Sequence, residues 1–260
     1  MFSDNPFAAL SQSISPAIMQ AYVVVMIVLV AAGTLFDMLH KQSARYFFRE
    51  AREAKEKRKR ALTAGDLASA AIGTVGEALV SGEFCSLKRR LAHLLTMYGF
   101  LMYAVATFVM VFWYPAPDAA APAILPVLWH VGAAMVLIGG CWFWFFIRVD
   151  VSAEGHSPFR LVQADLFIAA LLKSVALGLI WSYLQSIGSP WANVFLALYL
   201  IATTVLFASV PWSKFSHMFY KPAAAFQKRM EEAGGTHKNL PSPAAKPETF
   251  GSAREAPRHY

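Results

Sequence analysis

The length of the runs that carry almost no charge constrains this chain more than any other feature. Between Ala17 and Leu39 the only charged residue is Asp37. Wound as a helix at about 1.5 Å per residue, that run is about 35 Å long, enough to cross a hydrocarbon core of about 30 Å. Runs of the same kind follow at about 91–114, 124–147, 161–186 and 191–212. The sequence therefore predicts an all-α, polytopic membrane helix bundle with five transmembrane helices. Composition agrees: 57% of residues are hydrophobic, against about 45–50% in soluble domains, and the mean hydropathy is +0.45.

The basic residues set an orientation. Segment 1–16, the hairpin 115–123 (PAPDAAAPA) and the turn at Gly188, Ser189 and Pro190 contain no Lys or Arg, and of the 23 basic residues all but Lys173 fall on the other side. By the positive-inside rule the N-terminus lies outside and the C-terminus in the cytoplasm, in a bacterial inner membrane. Three parts follow: a periplasmic N-terminus (1–16), a membrane domain (17–230) with a charged cytoplasmic helical loop at 41–90, and a disordered cytoplasmic tail (231–260). Within the loop, Glu53–Lys57 and Glu56–Arg60 have favourable i,i+4 spacing, so the first span is expected to continue as a charged helix. Leu62, Leu67, Ala71, Val75 and Leu79 fall on one face of a short interfacial helix.

The net charge of +7 points to the bilayer rather than to nucleic acid, because the basic residues line up with span ends. They serve topology and anionic lipid contact, or form a docking surface for a soluble acidic partner; both readings stand. Cys85 and Cys141 are too few for a disulfide framework and provide no iron–sulfur run, so any cluster feeding this chain would belong to a partner. No basic n-region marks a signal peptide. Hydrolase and nucleotide-binding motifs are missing from the sequence.

The histidines carry the candidate chemistry. His93 and His217 stand at the inner ends of the second and fifth spans, each beside basic residues: Lys88, Arg89 and Arg90 for one, Lys214 and Lys221 for the other. Two imidazoles at one depth on two helices suit the axial ligation of one haem b, with Lys88, Arg89, Arg90 and Lys214 near its propionates or a partner. The plainer alternative makes each an interfacial histidine. His40 is a substitute ligand, and His130 and His156 are ligands of last resort or quinone contacts. Lys173 lies near mid-bilayer, where a lysine is costly and marks a functional candidate; a quinone or proton-relay role and a paired structural role weigh equally.

At RRLAHLLTMYGF and VPWSKFSHMFYK the chain resembles the haem b membrane domains of the nitrate reductase gamma, QmoC and tricarballylate-utilisation TcuB group, over about 75–225. The resemblance implies that His93 and His217 ligate one haem. A second haem is not expected, because Tyr103 and Tyr199 stand near where two-haem relatives carry further histidines. Over its whole length, through NPFAAL, TLFDMLHKQSARYFF and WFWFFIRVDVSAEG, the chain is similar to the AprM family of membrane anchors associated with dissimilatory adenylylsulfate reductase in sulfur-oxidising bacteria. That similarity implies a non-catalytic oxidoreductase subunit passing electrons between the soluble reductase and the quinone pool. The alternative is a cofactor-free anchor or assembly subunit docking a soluble oxidoreductase.

Overall fold

The computed structural model describes residues 2–40, 43–82, 84, 86–148, 159–212 and 217–236. Among them every regular element is helical. The helices are α1 (Pro6–Leu10), α2 (Pro16–His40), α3 (Ser43–Glu56), α4 (Ala64–Val80), α5 (Leu87–Trp113), α6 (Ile124–Phe146), α7 (Leu166–Ser186), α8 (Ala192–Ala208) and α9 (His217–Ala233). Short 3₁₀ turns at Gln163–Asp165 and Val210–Trp212 flank α7 and α8. The chain divides into two units, Met1–Asp37 with Leu91–Ser216, and Met38–Arg90 with His217–Tyr260.

The first unit contains the apolar runs. Four helices, α2, α5, α6 and α7, are long and apolar enough to cross a membrane, and α8 is a shorter apolar helix. Its core is aromatic. Phe7, Tyr103, Trp129, Trp181 and Tyr199 are buried with Met110, Val136, Leu171 and Leu206. The N-terminal segment is folded into this core. Asn5 caps α1 by accepting from the Phe7 amide at 3.0 Å, its Nδ2 donates to the Tyr114 carbonyl at 2.8 Å, and Phe7 lies 6.0 Å from the Trp129 ring and 5.6 Å from that of Trp181.

Small residues decide how α5 and α6 meet. A Cβ added to Gly99 would stand 2.7 Å from the Gly132 carbonyl oxygen, and one added to Gly132 would stand 2.7 Å from the Gly99 carbonyl oxygen. The two backbones touch there, as membrane helices do where glycine removes the side chain between them. At the other side of the unit α7 and α8 form a hairpin closed by Gly188, whose φ of +65° suits glycine.

The fourth apolar run begins later than the expected 161. Val162 donates its amide to the Asp165 carboxylate at 3.0 Å, so Gln163–Asp165 form a 3₁₀ turn and α7 starts at Leu166. The fifth run gives helix over Ala192–Ala208, then a 3₁₀ turn that contains Pro211, whose ring nitrogen has no hydrogen to continue the helix.

The second unit holds α3, α4 and α9. The Arg229 guanidinium lies on Gly73 and donates to Glu77 at 2.7 Å. Lys59 donates its amide to the Gly234 carbonyl at 3.0 Å; most of the tail that the sequence predicts to be disordered, 237–260, lies outside the described residues. Arg60 reaches Asp66 at 2.8 Å rather than Glu56, its i,i+4 partner in sequence. The link between α2 and α3, at 41 and 42, lies outside the described residues.

Thr63 and Asp66 form a reciprocal cap at the start of α4: the Asp66 amide donates to the Thr63 hydroxyl at 3.2 Å and the Thr63 amide to the Asp66 carboxylate at 2.9 Å. The bonds from Thr63, then the charge of Arg60, hold the Asp66 carboxyl below its ordinary range. A depressed carboxylate stabilises the fold above its unfolded pKa and loses that contribution as pH falls through the folded value. Amide exchange in the first turn of α4 should therefore speed up below the ordinary carboxylate range in the wild type and be already fast at neutral pH in Thr63→Ala. Gly132→Val should lower stability in detergent by about 3 kcal/mol, the upper part of the overpacking range, read as a fall in the thermal unfolding midpoint.

Candidate functional site

Polar side chains inside the first unit are joined to one another across helices. The Tyr103 hydroxyl on α5 donates to the Tyr199 hydroxyl on α8 at 2.8 Å. Ser174 on α7 and Thr203 on α8 share a hydrogen at 2.7 Å. The two phenols lie over Gly178 of α7, where a Cβ would stand 3.1 Å from the Tyr103 hydroxyl and 3.1 Å from the Tyr199 ring. Tyr103 stacks on Trp129 at 5.0 Å and Tyr199 on Trp181 at 5.7 Å. Tyr22 on α2 donates to the Leu200 carbonyl at 3.0 Å. The Trp129 indole donates to Thr107 at 2.9 Å.

Among the described residues His130 on α6 is the one predicted histidine buried in this interior, and both of its ring nitrogens have partners. Nδ1 lies 2.8 Å from the Pro126 carbonyl and Nε2 3.0 Å from the Ser182 hydroxyl. A carbonyl only accepts, so Nδ1 carries the hydrogen and Ser182 donates to Nε2. A serine bonded to an oriented imidazole has the outline of a nucleophile and its base. Here His130 is 2% exposed and Ser182 4%, so a substrate has no approach to the pair. It joins α6 to α7.

Arg148 and Asp165 form the second feature. Their side chains are 8% and 9% exposed and in direct contact. The Arg148 guanidinium also lies 4.1 Å from the centre of the Trp144 ring and donates to the Arg160 carbonyl at 3.1 Å. Asp165 is thus engaged by Arg148. The available signal was topological: opposite charges border the connection between two consecutive, antiparallel spans.

The other predicted residues are spread over both units. His93 is half-buried on α5 in the first unit, and Lys173 is exposed on the outer face of α7 rather than turned into the bundle. His40, at the end of α2, and Lys88 and Arg89, at the start of α5, are exposed in the second unit. Arg90 donates to the Val80 carbonyl at 2.8 Å, capping the end of α4. His217 opens α9. Lys214 and His156 lie outside the described residues. Among the described residues no group of three or more His, Cys, Asp or Glu side chains is placed to hold a metal ion.

The profile of the CitB family, citrate utilization protein B, matches residues 4–237. The citrate utilization protein B of Escherichia coli is 26% identical over 158 residues, which cover 58% of this chain and 40% of that protein. The chain thus spans well under half the length of this curated relative. No solved structure matches. Since the family profile takes in most of the chain, the chain belongs to the CitB family.

Membership corrects the reading by resemblance. The findings support neither the AprM association nor a QmoC-like haem membrane domain, and the electron-transport, haem and sulfur-oxidation readings conflict with the citrate utilization family. The same holds for adenylylsulfate reductase as partner and for the alternative, an anchor docking a soluble oxidoreductase. The short strings that carried the resemblance are generic in part: a basic cluster followed by a polar side chain is what the positive-inside rule places at the foot of many inner-membrane spans.

The Arg148–Asp165 pair supports a quantitative expectation. Arg148→Met leaves Asp165 as an uncompensated buried charge and should cost about 3–5 kcal/mol. The double substitution Arg148→Met, Asp165→Leu should recover most of that loss, as measured by unfolding in detergent micelles.

Proposed function

We propose that this member of the citrate utilization protein B family is a multi-pass subunit, in the bacterial inner membrane, of a system that lets cells use citrate, and that it works there beside citrate's carrier. The observation behind this reading is the family match over 4–237, which takes in both units. A carrier role draws no support from the first unit. Citrate is a trianion near neutral pH, and a path through the bilayer must offer it cations, because a charge left unpaired in hydrocarbon is expensive. From Leu91 to Trp113 and in α6, α7 and α8 the one Lys or Arg is Lys173, and it is on the outer face. The described interior is instead filled by Trp129, Val136, Val175 and Met110, each 0% exposed.

The fifth span belongs to the same proposal. With the 3₁₀ turn that follows it, α8 extends for about 30 Å, close to the thickness of the hydrocarbon core. Trp191 and Trp212, 61% and 62% exposed, flank it, as aromatic residues flank spans at the two interfaces. Five spans with the basic residues gathered on one side support an orientation with the N-terminus outside and the C-terminus in the cytoplasm.

Deleting the gene should abolish or slow growth on citrate as sole carbon source, while growth on glucose and the initial uptake of labelled citrate stay normal. Unchanged growth on citrate would refute the citrate role. Lost initial uptake would instead identify the chain with the carrier.

A further inference from the structure

Helix α4 is built inside out for a protein surrounded by water. Its charged residues, Asp66 and Glu77, are both engaged, with Arg60 and Arg229. Along the same face Ala70 and Thr74 are 5% and 6% exposed, and Gly73 carries the Arg229 guanidinium. The packed face is therefore small and polar. The opposite face is apolar and open: Ile72 is 73% exposed, Val75 58% and Leu79 47%. Ala68 and Ala71 are exposed with them. Positions 68, 72, 75 and 79 repeat at the helical period, so they form one stripe without a charged residue. Water is a poor environment for such a stripe, and large exposed apolar patches mark an interaction surface.

The chain around α4 indicates what covers it. Lys57, Arg58, Lys59 and Arg60 precede it, and Lys88 and Arg89 follow it. A charge-free apolar stripe with cations at both ends complements an anionic lipid surface: acyl chains meet the stripe and phosphates meet the cations. Seven residues after Val80 the chain reaches Leu87, the first residue of a helix long and apolar enough to cross the membrane, and Arg90 in its first turn bonds the last carbonyl of α4.

We propose that α4 lies in the headgroup layer of the membrane, with Ile72, Val75 and Leu79 among the acyl chains and the flanking Lys and Arg residues on anionic phospholipid. This goes beyond the citrate reading and does not depend on it.

The test uses the full chain carrying Cys85→Ser and Cys141→Ser, reconstituted in phosphatidylethanolamine bilayers with phosphatidylglycerol as the anionic component. A single cysteine replaces Ile72, Val75 or Leu79 in turn, with exposed Glu232 of α9 as the aqueous control, and each carries a nitroxide label. Oxygen, which enters lipid, should relax labels at 72, 75 and 79 several-fold more effectively than a water-soluble nickel chelate does, and the order should reverse at 232. Exchanging phosphatidylglycerol for phosphatidylcholine should reduce the contrast at 72 and 75. Equal nickel access at 72, 75 and 232 would overturn the proposal, since the stripe would face water. Exclusion of both reagents would overturn it in favour of a protein partner or a second copy. An unchanged contrast in phosphatidylcholine would overturn the assignment to anionic lipid.

Discussion

Hydrocarbon supplies no hydrogen-bond partner, and the first unit is arranged around that fact. Backbone amides are satisfied along each helix. Polar side chains need neighbours, and here the neighbours are on other helices: Tyr103 with Tyr199, Ser174 with Thr203, Trp129 with Thr107, His130 with Ser182, Tyr22 with the Leu200 carbonyl. Each bond fixes the rotation of two helices at once, because a helix turned by one residue, about 100°, would leave both groups without a partner. Dispersion alone does not select a rotation so sharply among apolar faces of similar shape. The glycine contact between α5 and α6 adds the distance constraint that the hydroxyl pairs lack.

Charge follows the same logic. In the first unit Arg148 and Asp165 form a buried ion pair, beside Trp144 and near a helix start. Aromatic contact and the Val162 amide occupy donors and acceptors that the pair itself leaves over, which is what allows buried charges to persist. In the second unit the ion pairs are partly exposed, and interactions of that kind contribute little to stability. What they do there is structural in another sense. Arg229 and Arg60 draw the polar face of α4 inward and so turn its apolar face out.

Much of this was legible from the residues. The uncharged runs, the breaks at Pro115–Pro122 and Gly188–Pro190, and the charged α3 all follow from composition and local turn chemistry. The start of α7 did not, because Asp165 answers to Arg148, seventeen positions away in the chain, and no local propensity encodes that. Nor did the folding of Phe7 into the core, since α1 is too short to announce itself by periodicity. His130 was visible as an intramembrane polar residue, but a hydroxyl on another helix is not a partner that periodicity can point to. Ser182 fits because a hydroxyl donates to Nε2 without requiring a second titratable group. The resemblance to haem domains failed for a different reason: it drew on span-foot motifs that topology alone favours, whereas the family match reads the whole of 4–237.

Charge divides the two units as clearly as hydropathy does. A multiply charged anion is held by cations and by hydrogen-bond donors that are free to turn toward it. The first unit offers such anions little, since its interior is aromatic and its hydroxyls are already bonded to one another. Nearly all described Lys and Arg side chains belong to the second unit, from Arg45 to Arg90 and from Lys221 to Arg229. A cluster of one sign raises the local concentration of the opposite one and speeds encounter. Anions are therefore drawn to the second unit rather than to the first. Retaining a basic unit of three helices, rather than trimming it to the few positive charges that topology needs, is consistent with a surface that has something to meet.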